Sequence, residues 1–360
     1  MRQSVLDHGS MRESRKNVKI LKVALICIIA VIAVSVLGIF GYLRFGLPPA
    51  HFAGQCESLD LNESAEDMQI DRERGIAYLS LIDRMALARK EPVQGWIGRL
   101  DLRAGTRTIE PALIDPPQHF RPHGLSLHID TNGQRSMVVI NHPLERGIEA
   151  EHVELFVEEQ PGRFRHVRTF TDELITRPND LVAVGPGQYY IANDSPPNSG
   201  ELTKLIYVDN DNARAVADDI NSGGGINVSQ DGNTLYVAET QGEAIRVLRR
   251  NPSDGSVETI NSIALGTAPD NIDVAADGSL WVGAHSNLFA LIMHFIAGTD
   301  APSQILRVEL NNATEPTIKE IYMNRGDEIS ASSIGLTYGK QLLIGSITAT
   351  KILICEMDGA

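Results

Sequence analysis

Six stretches of the chain follow one plan: a small polar cluster, an apolar alternation broken by a tight turn, and a polar residue at the close. They read EDMQIDRERGIAYLS from Glu66, HGLSLHIDTNGQRSMVVINH from His123, NDLVAVGPGQYYIAND from Asn179, GGINVSQDGNTLYVAE from Gly224, DNIDVAADGSLWVGAH from Asp270 and SASSIGLTYGKQLLIGSI from Ser330. Their starts lie 57, 56, 45, 46 and 60 residues apart, close to one four-stranded propeller blade per period. Each unit reads as a strand, a turn and a second strand. Six such units predict an all-β fold, a closed six-bladed β-propeller, in which equivalent ends of the inner strands converge on one central channel. The residues delivered there are Glu66, Asp67, His123, Asn179, Asp180, Asp270 and Asn271. That is an oxygen-rich nest with one imidazole.

The N-terminus has a different character. Val23 to Leu43 is an uncharged run of 21 residues, long enough to cross a bilayer as a helix. Arg2, Arg12, Arg15, Lys16, Lys19 and Lys22 precede it, so the positive-inside rule places the N-terminus in the cytoplasm and the propeller on the far side, in a periplasm or secretory lumen. An uncleaved signal anchor is expected; a cleaved signal peptide is the alternative, though its apolar core is normally shorter. Arg44 and the Leu47-Pro48-Pro49 turn mark the exit from the membrane. The expected organisation is a basic segment at 1–22, a transmembrane anchor at 23–43, a linker at 44–55 and a catalytic propeller at 56–360. The net charge of −14 argues against a nucleic-acid partner, which needs a concentrated basic face.

Cys27 lies in the apolar span, whereas Cys56 precedes the first repeat and Cys355 sits in the last strand-like run, KILICEM. A Cys56–Cys355 bond would staple the segments where the ring must close, and an oxidising compartment favours it over two buried thiols. Asn132-Gly133, Asp231-Gly232 and Asp277-Gly278 occupy the hairpin turns, as residues that tolerate positive φ. The apolar run Leu288 to Ala297 (LFALIMHFIA) follows His285; it is either a buried blade strand or an apolar wall beside the channel, able to touch a bilayer.

Carboxylates and amide carbonyls are hard donors suited to Ca²⁺, and zinc would want more His or Cys than converge here. Adjacent strand residues face opposite ways, so Glu66-Asp67 and Asn179-Asp180 could each serve two ions. Turn capping is the bland alternative for any one of them.

The strings SAEDMQI, RPHGLSLHID, VVINHP, NDLVAVGP, IAND, GINVSQDG, VAE, APDNIDV, LWVGAH and LLIG, with Cys56 and ICEM at the ends, resemble the paraoxonase (arylesterase) family over about residues 54–356. The resemblance implies a six-bladed propeller with two channel calcium ions, one catalytic and one structural. It also implies hydrolysis of lactones and aryl esters, with some phosphotriesterase activity. By motif, Glu66, Asn179, Asp270 and Asn271 are the implied ligands of the catalytic ion. Asp67, Asp180 and the Leu125 carbonyl are those of the structural ion. His123 and His142 are the implied histidine pair, Asp194 and His285 line the cavity, and Cys56–Cys355 is the disulfide. The chain departs from the motif at Gly224, where the family has Asn before Gly-Ile-Asn; water or Asn221 would have to replace that ligand. The stretch IDRERGIAYLS and the short segment Ser195 to Gly200 also differ, so substrate range does not transfer.

The expected mechanism is water attack on a calcium-polarised carbonyl, with His123 as base and His142 relaying the proton; Glu66 or Asp270 is the alternative base. The small-molecule partner is then a lactone or ester. Two other functions compete: a non-catalytic membrane-anchored propeller acting as an assembly or interaction factor, and a sugar lactonase of different substrate polarity.

Overall fold

A computed structural model describes residues 19–38, 41, 49–196, 199–310 and 316–358. The chain divides into two compact units between residues 48 and 49. In the first, α1 (Lys19–Gly38) is apolar and long enough to cross a bilayer, by length and composition. It begins four residues earlier than the uncharged run, taking in Lys19 and Lys22. The rest of that run (39–40, 42–43), the basic residues from Arg2 to Lys16, Arg44 and the Leu47-Pro48 turn lie outside the described residues.

The second unit is the six-bladed propeller, whose connections include α2 (Arg84–Ala88) and α3 (Leu288–Ala297). The inner strands are Ser64–Asp71, Pro122–Ile129, Pro178–Gly185, Gly223–Val228, Ala268–Val274 and Ser332–Tyr338, and each heads a run of four antiparallel strands. They coincide with the six sequence units, within two residues at each start. Blades 2 and 5 carry an extra outer strand, Leu113–Ile114 and His51–Phe52 respectively. Ordered strand structure therefore begins before residue 56.

The force that closes the ring is visible in the core. Alternating apolar side chains leave each sheet with two faces to bury, and six apolar clusters fill the six junctions between neighbouring blades. Leu79 and Leu100 of blade 1 meet Leu336 and Leu343 of blade 6, all fully buried; each such side chain contributes about 1.5–3 kcal/mol. At the far ends of the inner strands, the Arg72 guanidinium donates to Asp273 Oδ2 at 2.7 Å and to Val274 O at 3.1 Å. That ties blade 1 to blade 5.

The ring closes through Gly54–Asp60, which pairs with Lys351–Met357 as the outer strand of blade 6. Cys56 and Cys355 are direct cross-strand partners, bonded across 299 residues of sequence. A bond over so long a loop removes about 5 kcal/mol of chain entropy from the unfolded state. Reduction is expected to lower the melting temperature of the full chain, measured by calorimetry with and without reductant. Mass spectrometry that finds both thiols free in protein from its native membrane would remove the claim.

In the three predicted hairpin turns only the glycine is left-handed, with φ of 80° at Gly133, 74° at Gly232 and 81° at Gly278. Gly133 N donates to Asp130 O at 2.9 Å and Gly232 N to Ser229 O at 2.8 Å. The glycine thus closes a β-turn as its fourth residue. The preceding Asn or Asp keeps ordinary φ, unlike in a two-residue hairpin loop.

Candidate metal and active site

All six inner strands break register near their starts, and Glu66, Asp67, His123, Asn179, Gly224, Asp270 and Asn271 sit at those breaks. The shifts fall between Ala65 and Met68, Pro122 and Leu125, Pro178 and Asp180, Gly223 and Ile226, Pro269 and Ile272, and Ser332 and Ile334. A bulge frees side chains from strict alternation and re-aims them, so simple alternation is not what separates Glu66 from Asp67. Glycines let the strands crowd at these breaks. A Cβ on Gly124 would lie 2.4 Å from Asp180 Oδ1, and one on Gly225 2.5 Å from Asp270 O.

The buried layer links blades around the channel. Asp67 Oδ2 accepts from Leu125 N at 2.8 Å, and Asp180 Oδ2 accepts from Ile226 N at 2.8 Å. Asn271 Nδ2 donates to Glu66 O at 3.1 Å and to Glu66 Oε1 at 3.0 Å. Leu125 is engaged here through its N–H.

Four buried carboxylates, Glu66, Asp67, Asp180 and Asp270, therefore share one end of the channel. Burial pushes the Glu66 carboxyl up to about 7, against the opposing pull of the Arg84 guanidinium. Burial and the neighbouring Asp180 and Glu66 charges raise Asp67 well above the carboxylate range. Burial raises Asp180 likewise, although the N–H groups of Ile226 and Leu181 resist it. Asn179 Oδ1 and Asn271 Oδ1 are buried acceptors without a donor. Orphan oxygens beside under-compensated carboxylates are the signature of a place for a hard cation. Among the described residues, no group of His, Cys, Asp and Glu alone is arranged to hold a metal ion; the two amide oxygens would have to complete any cage.

Above this layer lies a cavity of about 330 Å³. Of the predicted residues, Glu66, His123, Asn179, Asp194, Asp270 and His285 line it. His142, Asp67, Asp180, Asn271, Leu125 and Gly224 do not line it. His123 Nδ1 is 3.4 Å from Glu66 Oε2 but makes no hydrogen bond, and its ring centroid is 4.6 Å from that of His142. Burial lowers both imidazoles well below their usual range, assisted by the Arg84 and Arg146 guanidinium groups. Both histidines are therefore neutral at neutral pH.

His285 Nε2 is 3.0 Å from Asp270 Oδ2. Asp194 is held by Arg177 Nε at 2.7 Å and Arg146 Nη1 at 3.4 Å. At Gly224 the backbone φ is not left-handed, and an added Cβ would meet only the Thr240 hydroxyl closely, at 2.6 Å. Asn221 is tied to blade 4 through its N–H on Glu239 and does not line the cavity.

The run Leu288–Ala297 is a helix, α3, and not a strand. Asn287 caps it by accepting from Ala290 N at 2.9 Å, and Gly298 ends it with φ of 65°. Leu288, Leu291, Ile292 and Phe295 form the apolar wall of the cavity. Sequence reasoning did not find Arg84, whose Nη2 lies 3.4 Å from Glu66 Oε2. Its only local signal is a lone arginine in the apolar run SLIDRMALA, just after the helix-capping Asp83. It also missed Glu151, for which no local motif exists. The segment from Ser195 to Gly200 reaches the cavity through Ser195; residues 197–198 lie outside the described ones.

The Arylesterase family model matches residues 103–357. Serum paraoxonase/arylesterase 2 of Rattus norvegicus is 30% identical over 253 residues, covering 66% of this chain and 69% of the relative. Serum paraoxonase/arylesterase 1 of Homo sapiens is 31% identical over 251 residues, covering 66% and 69%. Among solved structures, the major allergen Mala s 1 of Malassezia sympodialis superposes with a TM-score of 0.55 at 13% identity, covering 85% of this chain and 96% of that one. A putative gluconolactonase superposes at 0.52 with 14% identity, covering 87% and 94%. These last two likenesses concern the fold alone.

Proposed function

The chain belongs to the arylesterase family, and from that premise we propose that it is a calcium-dependent hydrolase of lactones and aryl esters. The observation that carries the reading is the buried layer of carboxylates and donor-less amide oxygens directly beneath a cavity that exposes His123. Glu66, Asn179, Asp270 and Asn271 would hold a catalytic calcium, and Asp67, Asp180 and the Leu125 carbonyl a structural one. When bound, the catalytic calcium supplies Lewis-acid polarisation of the substrate carbonyl and stabilises the oxyanion.

The remaining work falls to the chain. The α3 wall packs the apolar part of the substrate and excludes water. His123, neutral and 12% exposed, accepts a proton from the attacking water; His142, 2% exposed, lies behind it to share that proton. Asp194 and His285 fix the polar rim. The 23–43 segment would anchor the 56–360 propeller outside the cytoplasm, the compartment that a disulfide favours.

Hydrolysis of an aryl acetate and a lactone by the detergent-solubilised full chain, measured against free calcium, tests the proposal. Absence of calcium-stimulated turnover with both substrates would overturn it.

Gly224 adds a prediction of its own. The side chain missing there would leave the proposed catalytic site one oxygen ligand short, and a water immobilised in its place would cost up to about 2 kcal/mol. Gly224→Asn is expected to tighten the weaker calcium site without disturbing the tighter one, since only the Thr240 hydroxyl must rotate away. Calorimetric titration of the calcium-stripped chain reads this directly; an unchanged or lost weak site would show that another group already fills the position.

A further inference from the structure

Behind the histidine pair stands a carboxylate that no motif announces. Glu151 is 1% exposed, and its Oε2 lies 2.7 Å from His142 Nδ1. It immediately precedes the blade 2 strand His152–Gln160, so the returning strand carries it to the ring. Its other oxygen accepts from Arg146 Nε at 3.2 Å. Arg146 is itself pinned across the blade junction, donating through Nη2 to Pro178 O at 2.7 Å. The carboxylate is thus held from both sides. Resting on the hydrolase reading above, we propose that Glu151 is the positioning residue of the histidine pair: it holds His142 as the Nδ1–H tautomer, leaving Nε2 as the acceptor for the proton relayed by His123.

The hydrogen-bond inventory leads there. An ionised carboxylate only accepts, so a neutral imidazole beside it must place its proton on the facing nitrogen. Burial pushes Glu151 up to about 6, and the Arg146 guanidinium bonded to its other oxygen opposes that shift and favours the ionised form. His142 Nε2 is then a bare lone pair, and it is buried without a partner; His123 Nδ1 is buried without a partner as well. The two rings are 4.6 Å apart. The charged groups around His142 are Glu151 and the guanidinium groups of Arg146, Arg84 and Arg177. Three cations oppose a positive charge on that ring, and Glu151 is the carboxylate in contact to support it.

The proton balance closes without any further reagent. Water gives its oxygen to the carbonyl carbon and one proton to the far nitrogen of His123. The Nδ1 proton of His123 passes to His142 Nε2, and the resulting imidazolium keeps its Nδ1–H on Glu151. The transfers reverse to protonate the leaving alkoxide or phenoxide.

The test uses the full chain in detergent at saturating calcium, with an aryl acetate as substrate. Glu151→Gln keeps an acceptor of the same size but removes the charge. Its kcat is expected to fall about 10-fold with KM unchanged, and the acid limb of the kcat profile to move to lower pH, because the imidazolium loses its counter-charge. Glu151→Leu removes the acceptor too, and kcat is expected to fall toward the 10²-fold loss typical of a missing general base, about the same as for His123→Gln. A buried ion pair of purely structural value would change stability and leave the acid limb in place.

Nitrogen-15 spectra of His142 give a second readout, expected to show the Nδ1–H tautomer in the wild type and its loss in Glu151→Leu. Wild-type kcat and acid limb in Glu151→Gln, or an Nε2–H tautomer in the wild type, overturns the proposal. If Glu151→Leu does not fold, Glu151→Gln decides. If the wild type hydrolyses nothing, the hydrolase reading fails and the tautomer alone decides what Glu151 does.

Discussion

Removing calcium is expected to abolish ester turnover and to lower the melting temperature in the same titration. The reason lies in the charge balance of the channel. Glu66, Asp67, Asp180 and Asp270 are buried together, and the Arg84 guanidinium is the positive side chain in contact with Glu66. A cation that binds only the native state at 100 times its Kd adds about 2.7 kcal/mol per site, so two ions raise the melt substantially. Stripped of calcium, burial pushes Glu66, Asp67 and Asp180 toward their protonated forms.

The sign of the pH dependence then reverses. Burial raises the Glu66 carboxyl from 4.5 to about 7, so the native state binds this proton more tightly than the unfolded chain. Its contribution is complete below pH 4.5 and is lost as pH rises through 7, a change of roughly 3 kcal/mol. Asp67 and Asp180, raised in the same direction, steepen the loss. Melting temperature of the calcium-free chain should therefore climb as pH falls from 8 to 5. The loaded protein should be flat or move the other way, because protons compete with the ion. Calorimetric melts at four pH values, with and without calcium, check both signs. A calcium-free melt at pH 8 that matches the loaded one would sink the two-ion arrangement.

Much of this architecture was legible because it rests on local rules repeated six times. A strand that buries both faces between neighbouring blades needs apolar residues such as Leu79 and Leu100, and its turn needs a glycine such as Gly133. Both leave a mark at fixed distance from the polar head of each unit. The disulfide was legible for a related reason: a ring needs a closing strand, and Cys56 and Cys355 occupied the two candidates. What escaped depends on pairing and on return of the chain. The bulges at Glu66-Asp67 and Asn179-Asp180 are properties of strand pairs, invisible in one strand read alone.

The sequence left Leu288–Ala297 open between a buried strand and an apolar wall beside the channel, and the structure makes it the wall, as helix α3. A ten-residue apolar run fits a buried strand or a buried helix equally by period, and only the caps Asn287 and Gly298 separate the two. Arg84 and Glu151 lie outside the repeats, in connections whose spatial destination is set by the blades around them. Glu151 reaches His142 through nine residues of chain that carry no signature of the contact. Tertiary placement, and no local propensity, makes it part of the site.

Replacing His123 with Gln should lower lactone turnover by about 10² or more, the usual worth of a positioned general base. Gln fills a similar volume and keeps a polar group at the cavity floor, but it cannot accept a proton at neutral pH. His123 is not among the proposed metal ligands, and its Nδ1 makes no hydrogen bond to Glu66 despite lying 3.4 Å away. Both calcium affinities and the melting temperature should therefore stay near wild type, which separates loss of the base from loss of the ion. KM should also hold, because the apolar wall of α3 and not the imidazole packs the substrate's acyl or aryl group. The competing base is a carboxylate: Glu66, pushed up to about 7 by burial when no ion is bound, or Asp270 beside His285. If either takes the proton, the His123→Gln variant will turn over lactone at nearly the wild-type rate, and the pH profile will be unchanged. The histidine pair, with Glu151 behind it, would then be a structural wedge of the channel and not its proton path.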